Sequence, residues 1–154
     1  MRGGQTDASV VVASPTLRAL PILPTAGSAI VMSEKFWEPT RQRIRPGGFV
    51  VTNSDLIGEG FPHDGLTVRG VPAQRLAADA GAPLGACLVL LGAFCTMTGI
   101  SSADSLVAAM RQLVPAYRAQ HLAGNESAIR AGCDAVETNS FPLWAIHGQD
   151  RVDA

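Results

Sequence analysis

The chain has 154 residues and a formal net charge of −1, and 47% of its residues are hydrophobic and 16% charged. This length predicts one domain with a core of its own. A near-neutral chain without a dense Lys/Arg cluster argues against a nucleic-acid-binding protein. No charged stretch followed by an apolar one stands at the start, so we expect no signal peptide.

Three cysteines, Cys87, Cys95 and Cys133, are scattered without Cys-x-x-Cys spacing. An odd and scattered set does not predict a disulfide framework, and it cannot alone build a zinc or iron–sulfur site. We interpret the three thiols as small apolar side chains in a reducing compartment. This usage predicts a cytoplasmic protein.

The first half of the chain predicts three short apolar strands. Each is bounded by turn residues, and they cover Ala8–Ser14, Ser28–Ser33 and Phe49–Ser54. Residues 34–44 predict a helix with a kink or restart at Pro39, because proline breaks a helix interior. The Arg-Pro-Gly-Gly run at 45–48 is expected to end that helix.

The second half predicts one more strand and then only helices. Leu66–Val71 alternates more and predicts an edge or half-buried strand. The helices are predicted over 72–81, 83–97, 101–114 and 115–132. The uncharged helix at 83–97 is too short to span a membrane. Buried strands followed by helices predict an α/β fold: a three-layer domain with a mostly parallel sheet.

Residues that could carry chemistry are sparse. His63, His121 and His147 each stand alone, without a nearby ligand at metal spacing. The sequence holds no GxSxG, HExxH, Walker A or GxGxxG motif, so neither a nucleophile nor a pyrophosphate loop is indicated. We therefore predict no catalytic residue and no metal site in this chain.

Small polar residues follow the predicted strands. Ser33 ends the second strand, and Asn53 and Ser54 end the third. In open α/β sheets, ligands bind beyond the carboxyl ends of the strands, and the same residue types also cap helices and form turns. For Ser33 we favour capping. For Asn53 and Ser54, lining a ligand crevice and forming a turn are equally supported.

Several stretches together resemble one protein family. They are "EKFWEPTRQRIRPGGFVVTNSDLI", "VRGVPAQRLAADAG", "CLVLLGAFCTMTGI", "SSADSLVAAM" and "NESAIRAG". In this order and spacing they are similar to the gamma subunit, or gamma domain, of 2-oxoacid:ferredoxin oxidoreductases of the pyruvate, 2-oxoglutarate or ketoisovalerate type. The resemblance extends over residues 1–136 and leaves 137–154 as a carboxyl-terminal tail.

The resemblance implies a Rossmann-like, non-catalytic subunit of a larger enzyme. Such an enzyme oxidatively decarboxylates a 2-oxoacid to an acyl-CoA and passes the electrons to ferredoxin. Thiamine diphosphate, Mg²⁺ and iron–sulfur clusters would be held by other subunits, and this chain alone would be inactive. The partners would be the alpha and beta subunits, and ferredoxin through the complex. The gamma part would serve assembly and coenzyme A binding.

The chain departs from the family pattern at its start. Family members begin with a strand, a G-x-G-G-Q-G loop and a helix, and an internal Arg-Gly-Gly comes later. Here Arg2, Gly3 and Gly4 follow Met1 directly, so we expect an N-terminally truncated domain. In an intact domain these three residues would line the crevice side, with Ser33, Asn53 and Ser54. Gly81-Ala82 also replaces the Gly-Asn of relatives.

Two other interpretations stay open. One is a stand-alone binding module for a nucleotide or coenzyme A, against which the missing glycine-rich loop counts. The other is a truncated, non-functional fragment, whose exposed sheet edge would make it aggregate or fold only marginally. The identity of the 2-oxoacid, the subunit stoichiometry and the role of the tail do not follow from the sequence.

Overall fold

Ten strands and helical segments follow one another along the part of the chain that the structure, a computed structural model, describes: residues 7–12 and 24–143. The strands are β1 (Ala26–Val31), β2 (Ile44–Asn53) and β3 (Thr67–Val71). The α-helices are α1 (Trp37–Arg41), α2 (Ala73–Asp79), α3 (Ala86–Thr98), α4 (Ala103–Leu113) and α5 (Leu122–Asp134). Short 3-10 turns at Glu34–Phe36 and Ala116–His121 precede α1 and α5.

The described strands form one parallel sheet in the order β1-β2-β3. Val50 pairs with Ala29 of β1 on one side and with Val68 of β3 on the other. Among the described strands β3 lies at an edge, which agrees with the predicted edge or half-buried strand. The α/β fold class with a parallel sheet is therefore confirmed.

The Arg-Pro-Gly-Gly run lies inside β2, so the prediction that it ends a helix is wrong. α1 ends at Arg41, and Ile44 already pairs with Ala26. The register then shifts before Ser28 pairs with Phe49, which leaves residues 45–48 as a bulge. Gly47 has a φ of +75° there. Proline and a left-handed glycine suit a bulge as well as a helix end, and the pairing of Ile44 decides between them.

β2 is buried on both faces and separates two apolar clusters. On one face Val50 packs with Trp37 and Phe61, whose rings lie 4.8 Å apart. On the other face Phe49 and Val51 pack against the helices α2, α3 and α5. A strand covered on both faces has a continuous apolar sequence, and the run "FVVTN" is such a sequence. This arrangement gives the predicted three layers.

The helices α3 and α5 pack closely at two glycines. A Cβ atom on Gly92 would overlap the carbonyl oxygen of Ile129, and one on Gly132 would overlap that of Val89. The thiol of Cys133 donates to the carbonyl of Gly92 at 3.5 Å. α5 therefore holds α3 against the sheet by backbone proximity. Within the described residues, no helix combines the length and apolarity that a membrane crossing requires.

Several predicted boundaries differ from the structure. The last predicted helix, 115–132, is a 3-10 turn at Ala116–His121 followed by α5 from Leu122. Residues 8–12 of the predicted strand Ala8–Ser14 form no strand, and Val10 is 84% exposed; residues 13 and 14 lie outside the described part. α3 begins at Ala86 rather than residue 83, because residues 82–85 form a turn closed by Gly85 N–H on Ala82 O. α4 begins at Ala103 rather than residue 101, and Ser102 caps it by accepting from Ser105 N–H.

Candidate functional site

The carboxyl ends of the three parallel strands lie at one edge of the sheet. β2 ends at Asn53, β3 ends at Val71 immediately before Pro72, and Ser33 comes two residues after the end of β1. The predicted residues Arg2, Gly3 and Gly4 lie outside the described residues. The edge is therefore built by the ends of β1 and β2 and by the start of α2.

Asn53 is completely buried and holds the start of α2. Its Oδ1 accepts from the N–H of Ala73 at 3.3 Å and from the N–H of Asp55 at 3.2 Å. These two donors fix the orientation of the amide, because only its oxygen can accept them. The Nδ2 group has no hydrogen-bond partner within residues 7–12 and 24–143. A buried donor without an acceptor costs free energy, on the order of 1–3 kcal/mol.

Asp55 completes the start of α2 and was not among the predicted site residues. Its Oδ2 accepts from the N–H groups of Gln74 at 2.9 Å and Arg75 at 3.0 Å, and its Oδ1 accepts from Arg75 Nε at 2.7 Å. Burial opposes ionisation of Asp55. The hydrogen bonds and charge of Arg75, with the Gln74 N–H, outweigh burial and lower the pKa of Asp55.

The first N–H groups of α2 are thus satisfied from the end of β2. Pro72 precedes the helix and contributes no side-chain acceptor. Asn53 accepts from Ala73, and Asp55 accepts from Gln74 and Arg75. One sequence feature could have pointed to Asp55: the predicted helix begins after Pro72, which has no capping side chain. This feature shows that another residue must supply the acceptor, but it does not say where in the chain that residue lies.

The two serines at this edge make fewer contacts. The N–H of Ser54 donates to the carbonyl of Val71 at 2.9 Å, and its exposed side chain lies over Gly70. Ser33 is exposed at the N-cap position of the 3-10 turn, but its side chain makes no capping hydrogen bond. Ser33 lines a cavity of about 530 Å³ beside β1, which neither Asn53 nor Ser54 lines. The structure therefore brings these residues to one edge but not into one cavity.

Groups that react or bind metal are dispersed over the described residues. Within residues 7–12 and 24–143, no three His, Cys, Asp or Glu side chains come close enough to hold a metal ion. Cys95 is buried, Cys133 is half-buried and Cys87 is exposed. The prediction that the cysteines are apolar core side chains therefore fits Cys95 and partly Cys133, but not Cys87. Burial, followed by the nearby Cys133, raises the pKa of Cys95 to about 11. Burial therefore favours the protonated form of this thiol near neutral pH.

The fold and this edge define a class: a Rossmann-like α/β domain with polar groups at the carboxyl ends of its strands. Comparison with known proteins then gives the family. The chain belongs to the Pyruvate ferredoxin/flavodoxin oxidoreductase family, which matches residues 1–135. The resemblance read from the sequence motifs is therefore confirmed.

A curated relative is the 2-oxoglutarate synthase subunit KorC of Methanocaldococcus jannaschii. It is 27% identical over 116 residues, which cover 74% of this chain and 62% of KorC. The chain therefore spans about three-fifths of the length of this relative. KorC is named as a subunit of 2-oxoglutarate synthase.

Two solved structures share the fold. The gamma subunit of a keto/oxoacid ferredoxin oxidoreductase from Geobacter sulfurreducens aligns with a TM-score of 0.62 at 21% identity, covering 71% of this chain and 63% of that one. The pyruvate oxidoreductase subunit PORC from Thermotoga maritima aligns with a TM-score of 0.57 at 19% identity, covering 75% and 66%. At these identities the likeness establishes the fold alone.

Proposed function

We propose that this chain is a non-catalytic gamma subunit, or gamma domain, of a cytoplasmic 2-oxoacid:ferredoxin oxidoreductase. The family match over residues 1–135 carries the proposal. The assembled enzyme would convert a 2-oxoacid and coenzyme A to an acyl-CoA and CO₂, and ferredoxin would accept the two electrons. Residues 1–136 would form the gamma domain, with 137–154 as a tail.

In this proposal the alpha and beta subunits hold thiamine diphosphate, Mg²⁺ and the iron–sulfur clusters. Bound thiamine diphosphate supplies the carbanion chemistry of decarboxylation. The present chain contributes assembly and one side of the coenzyme A site. Two observations support a polar ligand here: the hydroxyls of Ser33 and Ser54 are exposed at this edge, and Nδ2 of the fully buried Asn53 finds no acceptor among the residues that the structure describes.

Co-expression tests the role of the subunit. The chain is expressed with and without alpha and beta subunits encoded beside it, and reduction of a dye by pyruvate, 2-oxoglutarate and branched-chain 2-oxoacids is measured with and without coenzyme A. We expect activity that depends on coenzyme A and falls at least about tenfold without this chain. Equal activity of the partners alone would contradict the proposal.

Calorimetry separates this role from a stand-alone binding module. Coenzyme A is titrated into the isolated chain and into the assembled complex. We expect measurable heat only for the complex, because the chain supplies one side of the site. Tight binding by the isolated chain would instead support the binding module, and equal binding by complexes with and without the chain would remove coenzyme A from its role.

A further inference from the structure

The helix α3 is apolar on all sides, but its surface is only partly covered. It carries no charged residue from Ala86 to Thr98, and its Leu90 and Ala93 are completely buried. Leu91 and Phe94, by contrast, are only half-buried. A helix that is apolar all round is normally buried on every side. Within residues 7–12 and 24–143, the Leu91 side of α3 therefore lacks part of its cover.

A cavity of about 630 Å³ lies between this side of α3 and β1. Leu91 and Phe94 line it from the helix, and Ile30, which is 36% exposed, lines it from the strand. Ile30 pairs with Val51, whose side chain packs with the helices, so Ile30 lies on the same face of the sheet. Pockets of about 300–1,000 Å³ bury whole small ligands, so this space is large enough for more than one side chain.

The chain that follows α5 leads into this cavity. The N–H of Phe141 donates to the carbonyl of Met97, near the end of α3, at 2.9 Å. The ring of Phe141 stacks on Phe49 of β2 with a centroid separation of 4.3 Å. Leu143, two residues later, lines the cavity beside β1. The chain thus moves from β2 to β1 over these residues, and residue 144 continues from the wall of the cavity.

We propose that the carboxyl-terminal tail docks residues 144–146 in this cavity and so covers the half-buried side of α3. Eleven residues follow Leu143, and the apolar ones, Trp144, Ala145 and Ile146, come first, before the polar run "HGQDR". Three residues reach up to about 10 Å, which suffices to fill a cavity that Leu143 already lines. Burial of these side chains against α3 favours the docked position.

The cavity also meets the polar requirement of a buried tryptophan. An indole N–H that leaves water needs an acceptor, and Ser28 and Ser101 line the same cavity. The family match ends at residue 135, so the docked tail is an addition of this chain to the shared domain. The proposal does not depend on the subunit role proposed above.

The fluorescence of Trp144 tests the docking on the full chain. It is obtained as the difference between the spectra of the unaltered chain and Trp144→Phe, which leaves the buried Trp37 in place. Because docking removes the indole from water, we expect this difference spectrum to lie at shorter wavelength, and to be quenched less by acrylamide, than the same difference measured in urea. Emission and quenching equal to those of the unfolded chain would overturn the proposal.

Leu91→Glu and Ile30→Glu test the location, since each places a charge in one wall of the cavity. Each variant is compared with its own Trp144→Phe counterpart, and circular dichroism shows which variants stay folded. Both substitutions should shift the Trp144 emission to the unfolded value. Cys87→Glu is the matched control, because Cys87 is exposed one turn earlier on α3 and does not line the cavity. It should leave the emission unchanged.

Ile146→Glu tests the same contact from the tail, without a change in the folded core. It should expose Trp144, whereas Val152→Glu, beyond the apolar run, should not. Burial of Trp144 that persists in a folded lining variant and in Ile146→Glu would overturn the proposal, because the tail would then lie elsewhere. Burial that increases with protein concentration would also overturn it, because the cavity would then hold the tail of a second copy.

Discussion

Asp55 shows how one carboxylate joins two elements. It follows β2 in the chain, yet its oxygens accept from two N–H groups and the guanidinium at the start of α2. Helix starts require such acceptors, and a carboxylate there also interacts favourably with the helix dipole. Asn53 contributes the neighbouring acceptor from a fully buried position. The end of β2 therefore places the start of α2.

Replacing Asp55 should destabilise the chain. Asp55→Ala removes three hydrogen bonds at the start of α2, and we expect a loss of about 1–2 kcal/mol in the free energy of unfolding, measured by urea denaturation at pH 7. Asp79→Ala, at the exposed far end of the same helix, is the matched control and should change it by less than about 0.5 kcal/mol. Equal effects of the two variants would contradict this role.

The pH dependence of the Asp55 contribution follows from its lowered pKa. A lowered pKa in the folded state adds stability above the pKa of the unfolded chain, about 3.9 for aspartate, and this is lost as the pH falls through the folded value. We expect the stability difference between the unaltered chain and Asp55→Asn to narrow as the pH falls below about 4. A difference that stays constant from pH 7 to pH 2.5 would show that the charge of Asp55 does not contribute.

Cys95 should make stability depend on alkaline pH. Burial raises the pKa of Cys95 to about 11. The contribution of its thiol to the free energy of unfolding is therefore complete below the pKa of an unfolded thiol and is lost as the pH rises toward 11. A pKa difference of about two units between the folded and unfolded thiol corresponds to about 2–3 kcal/mol of unfolding free energy. In urea titrations between pH 8 and pH 11, Cys95→Ala should remove this part of the decline, whereas Cys87→Ala, at the exposed thiol, should keep it.

At the scale of elements, the pair α3 and α5 depends on glycine at the helix crossing. A side chain at Gly92 or Gly132 would meet the backbone of the other helix rather than a side chain that can move. Glycine is less favourable than alanine in a helix by about 1 kcal/mol. Helix propensity therefore does not explain these two glycines, whereas the close approach of the helix backbones does.

Gly132→Ala tests this packing. Despite the better helix propensity of alanine, we expect a net loss of about 1–3 kcal/mol in unfolding free energy, because the two helices must move apart. Gly58→Ala is the control, since a Cβ atom there meets no atom within 4 Å. Thermal unfolding followed by circular dichroism measures both variants. An unchanged or stabilised Gly132→Ala protein would contradict the close approach.

At the scale of the whole molecule, β2 connects the two apolar clusters. Val50 belongs to the Trp37 cluster, and its neighbours Phe49 and Val51 belong to the helix cluster. Neither cluster can lose its packing without exposing the same strand. The two faces of the sheet should therefore unfold together as one cooperative unit.

Trp37 provides the probe for this cooperativity. Its ring is 2% exposed and its Nε1 donates to the carbonyl of Pro62 at 2.6 Å. In a Trp144→Phe variant, which leaves Trp37 as the sole tryptophan, urea unfolding followed by fluorescence reports the first cluster. Circular dichroism reports the helices on the other face. We expect the same midpoint for both, and separate midpoints would show that the clusters unfold independently.

The sequence by itself determined the fold class and the family. Apolar runs without alternation predicted buried strands at 28–33 and 49–54. Residues 28–31 and 49–53 lie in the parallel sheet, but only the second of these strands is fully buried. The order of short motifs predicted the gamma-subunit resemblance that the family match confirms. These features are local, since each depends on residue types within a few turns of chain.

The tertiary structure decided which of several locally possible roles each residue takes. Arg-Pro-Gly-Gly suits a helix end or a bulge, and the pairing of Ile44 and Phe49 on either side of it with β1 made it a bulge. Asn53 suits a crevice or a turn, and only the tertiary structure shows that its Oδ1 also accepts from the N–H of Ala73, twenty residues away. Residues 8–12 have the composition of a strand, but a strand also needs a hydrogen-bonded neighbour. Such long-range partners are set by packing of distant segments, which no local pattern contains.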